Sequence, residues 1–164
     1  MNYKDIAKVF TCYYESPIGL LLLEANNLAL ISISFTQEKN CNERMNGFLR
    51  KTRLQLDEYF SGKRRVFNLP VIYNGTTFQV KVWEALREID YGKTVSYKEI
   101  AEKINHSKAY RAVGSANNRN QLPIIIPCHR VIGSKGKLTG YAGGLWRKKW
   151  LLEHEKGILE RKGL

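Results

Sequence analysis

Apolar positions come first in short runs and then at helical spacing. Phe10-Thr11-Cys12-Tyr13-Tyr14 has strand propensity. Ser16-Pro17-Ile18-Gly19 is a turn signal, and the runs Leu20–Ala25 and Leu28–Phe35, split by Asn26-Asn27, predict a hairpin. Phe48, Thr52, Leu56, Tyr59 and Phe60 then fall at helical spacing, and Gly62-Lys63-Arg64-Arg65 ends that helix in a surface loop. A boundary is expected around Asn74-Gly75. Beyond it, Thr76 and Gln79 form a capping box, Phe78, Val82, Leu86 and Ile89 make an apolar stripe, and Tyr91-Gly92-Lys93 closes the helix. A second capping box at Ser96 and Glu99 opens a helix that buries Ile100, Ala101 and Ile104. Asn105-His106-Ser107 reads as a three-residue turn into a third helix, from about Lys108 to Asn117. The pattern predicts an α+β chain. Residues 1–75 form a small N-terminal antiparallel sheet domain with a helix. Residues 76–164 form a mostly helical domain containing a helix-turn-helix.

Two stretches of the second half stand out. In the third helix Ala109, Ala112, Val113 and Ala116 are spaced to share one face, and Arg111 points from nearly the opposite one, flanked by Gly114, Ser115 and Asn118. One long cation among small groups suits close approach to a backbone or groove. A solvated surface arginine is the plainer alternative. Further on, Ile124-Ile125-Ile126 between prolines predicts a short buried segment. It leads into Cys128, His129 and Arg130, where the chain is expected to leave the core. A thiol attacks as the thiolate, and neighbouring cationic or imidazole groups lower its pKa. The plainer reading there is a core thiol beside a surface histidine.

Composition narrows the classes. With 164 residues, 43% of them hydrophobic, the chain can bury a core rather than remain disordered. No stretch approaches the roughly 18 to 20 apolar residues of a membrane span, and Met1-Asn2-Tyr3-Lys4-Asp5 shows no secretory pattern. The three cysteines, Cys12, Cys41 and Cys128, are too widely spaced for a disulfide framework or zinc cluster, so a reducing, cytoplasmic setting is expected. Cys12 and Cys41 lack nearby histidines or paired carboxylates and read as structural. Net charge is +12, and residues 76–164 hold 17 Lys/Arg against 8 Asp/Glu, whereas residues 1–75 hold 10 against 7. A polyanion such as nucleic acid and a merely lysine-rich surface fit that surplus about equally.

Pro127-Cys128-His129-Arg130-Val131 resembles the active-site signature of the O6-alkylguanine-DNA alkyltransferases, the methylated-DNA–protein-cysteine methyltransferases. The resemblance continues in family order through most of residues 76–157. Val95-Ser96-Tyr97 resembles the segment supplying a pocket tyrosine. Tyr110-Arg111-Ala112-Val113-Gly114 resembles the recognition helix with its arginine finger, and Ser115 follows it. Asn118-Arg119-Asn120 precedes the active-site strand, with Asn120 at the hinge position. Gly140-Tyr141-Ala142-Gly143-Gly144-Leu145 resembles the loop over the base, although Ala142 stands where some members have serine. Trp150–Glu155 resembles the last helix, ending on the relay glutamate.

The resemblance implies a single-turnover transfer of an alkyl group from O6-alkylguanine, and also O4-alkylthymine, to Cys128, without a cofactor or metal. His129 would take the thiol proton, Glu155 would stabilise the imidazolium, and Tyr97 would protonate the departing purine. Arg111, Asn120, Arg130, Val131, Tyr141, Gly143, Ser96, Ala112, Gly114 and Ser115 would bind substrate and DNA. The partner expected is double-stranded DNA, engaged by a monomer that extrudes the damaged base. The rival readings are a non-catalytic lesion binder, which Cys128 argues against, and a cysteine hydrolase built on Cys128, His129 and Glu155, which would turn over without DNA.

Overall fold

The computed structural model describes residues 8–40 and 42–163. Cys41 therefore lies outside the described residues. The chain separates into two compact units, Met1–Tyr73 and Asn74–Leu164.

In the first unit, β1 (Phe10–Ser16), β2 (Gly19–Ala25) and β3 (Leu30–Thr36) form an antiparallel sheet in that order. Strand β2 buries Leu21, Leu23 and Ala25 while the residues between them are half-buried, the alternation a sheet with one covered face requires. Helix α1 (Gly47–Phe60) packs across all three strands and buries Leu49, Thr52, Gln55, Leu56 and Tyr59. Asn26 is buried in the β2–β3 turn, where its Oδ1 accepts from the Leu28 and Ala29 amides. Asn46 joins that turn to the helix: its Oδ1 caps the Leu49 amide and its Nδ2 donates to the Asn26 carbonyl. Cys12 is fully buried in this core, and burial pushes its thiol up to about 11.

The second unit opens with α2 (Thr77–Arg87), started by the Thr76–Gln79 capping box. Val82, Leu86 and Ile89 of the expected stripe are buried, together with Trp83. The helix ends at Arg87, before the expected Tyr91-Gly92-Lys93 stop. Beyond it, the Gly92 amide, at φ +74°, donates to Glu155 over 60 positions away. After β4 (Val95–Ser96), α3 (Tyr97–Lys103) starts on the Ser96–Glu99 capping box. Helix α4 (Tyr110–Asn118) follows a six-residue connection, 104–109, longer than the expected three-residue turn. Asn105 there adopts φ +60°, which no helix continues through. The buried arc of α4 is Val113, Ala116 and Asn117; Ala112 lies about 100° from Val113 and is exposed, contrary to the shared-face expectation.

The isoleucine run is buried as expected, but it forms a turn with Ile124 at φ +76° rather than an active-site strand. A single 3-10 turn, Cys128–Arg130, leads into β5 (Val131–Ile132), which pairs parallel with β4. Helix α5 (Leu145–Arg161) closes the unit and buries Lys148, Leu151, Glu155 and Ile158 on one stripe. Among the described residues no helix is long and apolar enough to cross a membrane.

Replacing Asn46 removes both an N-cap and the tie to the hairpin turn. Asn46→Ala is expected to lower stability by about 1–2 kcal/mol, read as a lower urea midpoint at unchanged slope. A midpoint equal to the parent protein's would contradict the dual role.

Candidate active site

Cys128, His129 and Arg130 do not leave the core; their exposures are 4%, 0% and 5%. The turn carrying them is held from three sides. Asn120 brackets its approach, with Oδ1 accepting from the Leu122 amide and Nδ2 donating to the Ile126 carbonyl. Asn117, on the buried side of α4, donates to the Cys128 carbonyl at 3.4 Å, while the Trp83 indole on α2 donates to Ala116. From α5, Glu155 reaches the side chains of both His129 and Arg130.

Glu155 is fully buried and fully occupied. Oε1 lies 2.8 Å from His129 Nε2, Oε2 accepts the Gly92 amide at 2.8 Å, and the Arg130 guanidinium donates to both oxygens. Arg130 Nη1 donates to the Ile89 carbonyl, and its guanidinium sits over the Tyr91 ring. Burial alone would raise the Glu155 carboxyl, but the hydrogen bonds from His129 and Arg130 and the Arg130 charge outweigh it, so the carboxyl titrates below its ordinary range. Burial, with the Arg130 and Lys148 charges, lowers His129 even against Glu155 and keeps the ring neutral. A carboxylate only accepts, so Nε2 carries the proton. Nδ1 then presents a lone pair, buried and without a hydrogen bond among the described residues.

The thiol runs against the expected direction. Burial raises Cys128 to about 11, although the Asn120 side chain, Lys148 and the backbone amides of Cys128 and His129 favour the thiolate. Depth outweighs its cationic neighbours, so about one molecule in ten thousand is ionised at pH 7 with that pKa of about 11. The resting group is a protected thiol beside a ready base.

Around the thiol lie Tyr97, Tyr141 and Lys148, each in electrostatic contact with Cys128. Tyr97 donates its hydroxyl to the Thr139 carbonyl at 3.0 Å, and its pKa is raised by burial. Lys148 was not picked out by sequence. It is wholly buried, its Nζ donating to the Val131 and Thr139 carbonyls at 2.6 Å each, and burial lowers it to about 8. Its signal was available: Lys148 and Glu155 occupy the same stripe as Leu151 and Ile158, where a solvated charge has no place. A cavity of about 440 Å³ opens between Asn118, Gly140, Tyr141, Ala142, Gly144 and Leu145.

The other expected binding residues divide. Arg111, Ala112 and Ser115 are exposed on α4, and Gly114 lies beside the Tyr97 ring. The Ser96 hydroxyl caps α3, and the Gly143 carbonyl accepts from Arg147. Arg130 and Val131 lie inward: Arg130 donates to Glu155 and Ile89, and Val131 is fully buried with its carbonyl accepting from Lys148.

Comparison with known proteins follows the same division. Residues 77–157 match the model of the 6-O-methylguanine DNA methyltransferase DNA binding domain, and residues 9–73 that of its ribonuclease-like domain. The chain is 52% identical to a methylated-DNA–protein-cysteine methyltransferase of Methanosarcina barkeri, covering 88% of this chain and 96% of the relative. It is 42% identical to the constitutive one of Bacillus subtilis, covering 95% and 96%. Among solved structures it resembles Mycobacterium tuberculosis O6-methylguanine methyltransferase at TM-score 0.84 and 42% identity, covering 92% and 94%. The M. tuberculosis OGT in complex with DNA superposes at TM-score 0.82 and 43% identity, covering 89% and 92%.

Two outcomes follow from this geometry. Alkylation of Cys128 by a small neutral electrophile should rise about tenfold per pH unit from pH 7 to 10, because the thiol titrates near 11; a plateau near pH 7 would contradict a raised pKa. Arg130→Met strands a buried carboxylate and should cost about 3–5 kcal/mol at pH 7 in denaturant unfolding. In the parent protein Glu155 contributes stability above its unfolded value of about 4.3, lost as pH falls toward the depressed folded value. In Arg130→Met the folded value rises, so this contribution shrinks. A variant as stable as its parent would remove Arg130 from the clamp.

Proposed function

The chain belongs to the O6-alkylguanine-DNA alkyltransferase family, the methylated-DNA–protein-cysteine methyltransferases, and from that membership we propose that Cys128 is its alkyl acceptor. The protein repairs alkylated DNA by direct reversal, moving the alkyl group onto one of its own cysteines. The observation that carries the assignment is the buried turn itself. Cys128 adjoins a histidine whose Nε2 is pinned to Glu155 and whose Nδ1 lone pair is uncommitted.

The proposed step begins with transfer of the thiol proton to His129 Nδ1 through a water, since no hydrogen bond joins the two directly. Glu155, already ionised, stabilises the imidazolium, while Lys148, Asn120 and the turn's amides stabilise the thiolate. The sulfur attacks the alkyl carbon on guanine O6 in line. The carbon–oxygen bond breaks, its electrons stay on the purine, and Tyr97 supplies the proton. A thioether remains on Cys128. The carbon–sulfur bond of a thioether is stable to hydrolysis, so each molecule reacts once. Alkylguanine is the substrate this chemistry fits best, with O4-alkylthymine accepted by the same in-line attack.

A thiol at 4% exposure cannot reach a base stacked in a duplex, so the lesion must come to it. Helices α3 and α4 serve as the helix-turn-helix that holds double-stranded DNA, the protein acting as a monomer. Arg111, exposed opposite the buried arc of α4, occupies the space the extruded base leaves.

The test is incubation with duplex carrying labelled O6-methylguanine. One label per chain is expected, recovered by mass spectrometry on the peptide containing Cys128, with none transferred by Cys128→Ala. His129→Ala should transfer about 10²-fold or more slowly. Label on Cys12 or Cys41, or repeated turnover, would overturn the assignment.

A further inference from the structure

Helix α4 begins with an exposed aromatic that the proposed reaction does not use. Tyr110 is 46% exposed, one of few large hydrophobic groups left open in the described chain. It is the first residue of α4 and directly precedes Arg111. The Arg111 guanidinium lies over the Tyr110 ring, 5.8 Å from its centroid. Arg111 stands opposite the arc of Val113, Ala116 and Asn117 that fastens α4 to the unit, and Tyr110, two turns before Asn117, lies at the exposed N-terminal end of that arc.

A cation over an aromatic face is held in direction without losing its charge. A long arginine alone would sample many rotamers before entering DNA, and ordering it opposes entry. An open aromatic ring also offers a surface on which a base can stack regardless of its identity. Leaving such a ring in water has no benefit to folding; against a base step opened by a departing lesion it is covered.

We propose that Tyr110 and Arg111 act as one two-residue wedge: the Tyr110 ring aims the guanidinium and packs against the base step that the extruded lesion opens. Tyr110 is thus a positioning and DNA-contacting residue. The inference rests on the extrusion role proposed for Arg111 and extends it.

The experiment measures second-order transfer rates for O6-methylguanine in duplex and as the free base, and takes their ratio. It compares the parent protein with Tyr110→Ala, Tyr110→Phe, Arg111→Ala and the double alanine variant. Tyr110 is a surface residue at a helix start, so alanine there leaves folding intact, and a thermal melt checks this. Tyr110→Ala should lower the ratio about two- to fivefold, the loss of one exposed cation–π contact. Tyr110→Phe should retain it, since the ring and not the hydroxyl carries the effect. In the double variant the loss should be smaller than the product of the single losses, because the two residues act together. A lowered ratio in Arg111→Ala with an unchanged one in Tyr110→Ala overturns this inference and leaves the extrusion role standing. An unchanged ratio in Arg111→Ala overturns both. A Tyr110→Phe loss equal to that of alanine overturns the role of the ring.

Discussion

The second unit is organised around one buried carboxylate. Glu155 joins three segments distant in sequence: the Gly92 turn, the Cys128–Arg130 turn and α5. An ionised group at 0% exposure survives only if every lone pair is met. Here a histidine, an arginine and a backbone amide meet them. The same bonds that make the charge tolerable also fix the imidazole's tautomer and direction. Structure and reactivity therefore depend on a single constraint, and neither can be altered alone.

That constraint explains a thiol that is both protected and reactive. Burial holds Cys128 protonated at rest, which suits a protein that reacts only once, because stray oxidation or alkylation would waste the molecule. Ionisation is confined to the moment when proton transfer to His129 is coupled to attack. Lys148 adds a second buried charge, spanning the Val131 and Thr139 carbonyls. It ties β5 to the loop before Tyr141 and places a cation near the thiol. On the other side, Asn117 at the end of α4 and Asn120 just beyond it hold the same turn and its approach.

Much of this was legible in the sequence because it is local. Both capping boxes, Thr76–Gln79 and Ser96–Glu99, lie within four residues and form as read. The alternation of β2 and the helical spacing of α1 are equally short-range. The Cys128-His129 adjacency and Glu155 were found by resemblance, and the geometry brings the His129 and Glu155 side chains together. What failed was tertiary. The bond from the Gly92 amide to Glu155, just past α2, is one that no local pattern encodes. The carboxylate that makes burial of Arg130 tolerable likewise lies 25 residues on. The thiol's direction was misjudged because neighbours in sequence reveal charge but not depth. Lys148 stands between Arg147 and Lys149 and was not picked out, although its place on the Leu151–Ile158 stripe marks it as buried.

The central claim is that burial, with the Arg130 and Lys148 charges, keeps His129 neutral, while Glu155 fixes its proton on Nε2 and leaves a free lone pair on Nδ1. Nitrogen-15 NMR of histidine-labelled protein at neutral pH reads this directly. His106 and His154 are assigned by their own substitutions, leaving His129. The account predicts a neutral imidazole with a protonated Nε2 and an unprotonated Nδ1 that stays so below the ordinary histidine range. An imidazolium at neutral pH, or a neutral ring protonated at Nδ1, would contradict it.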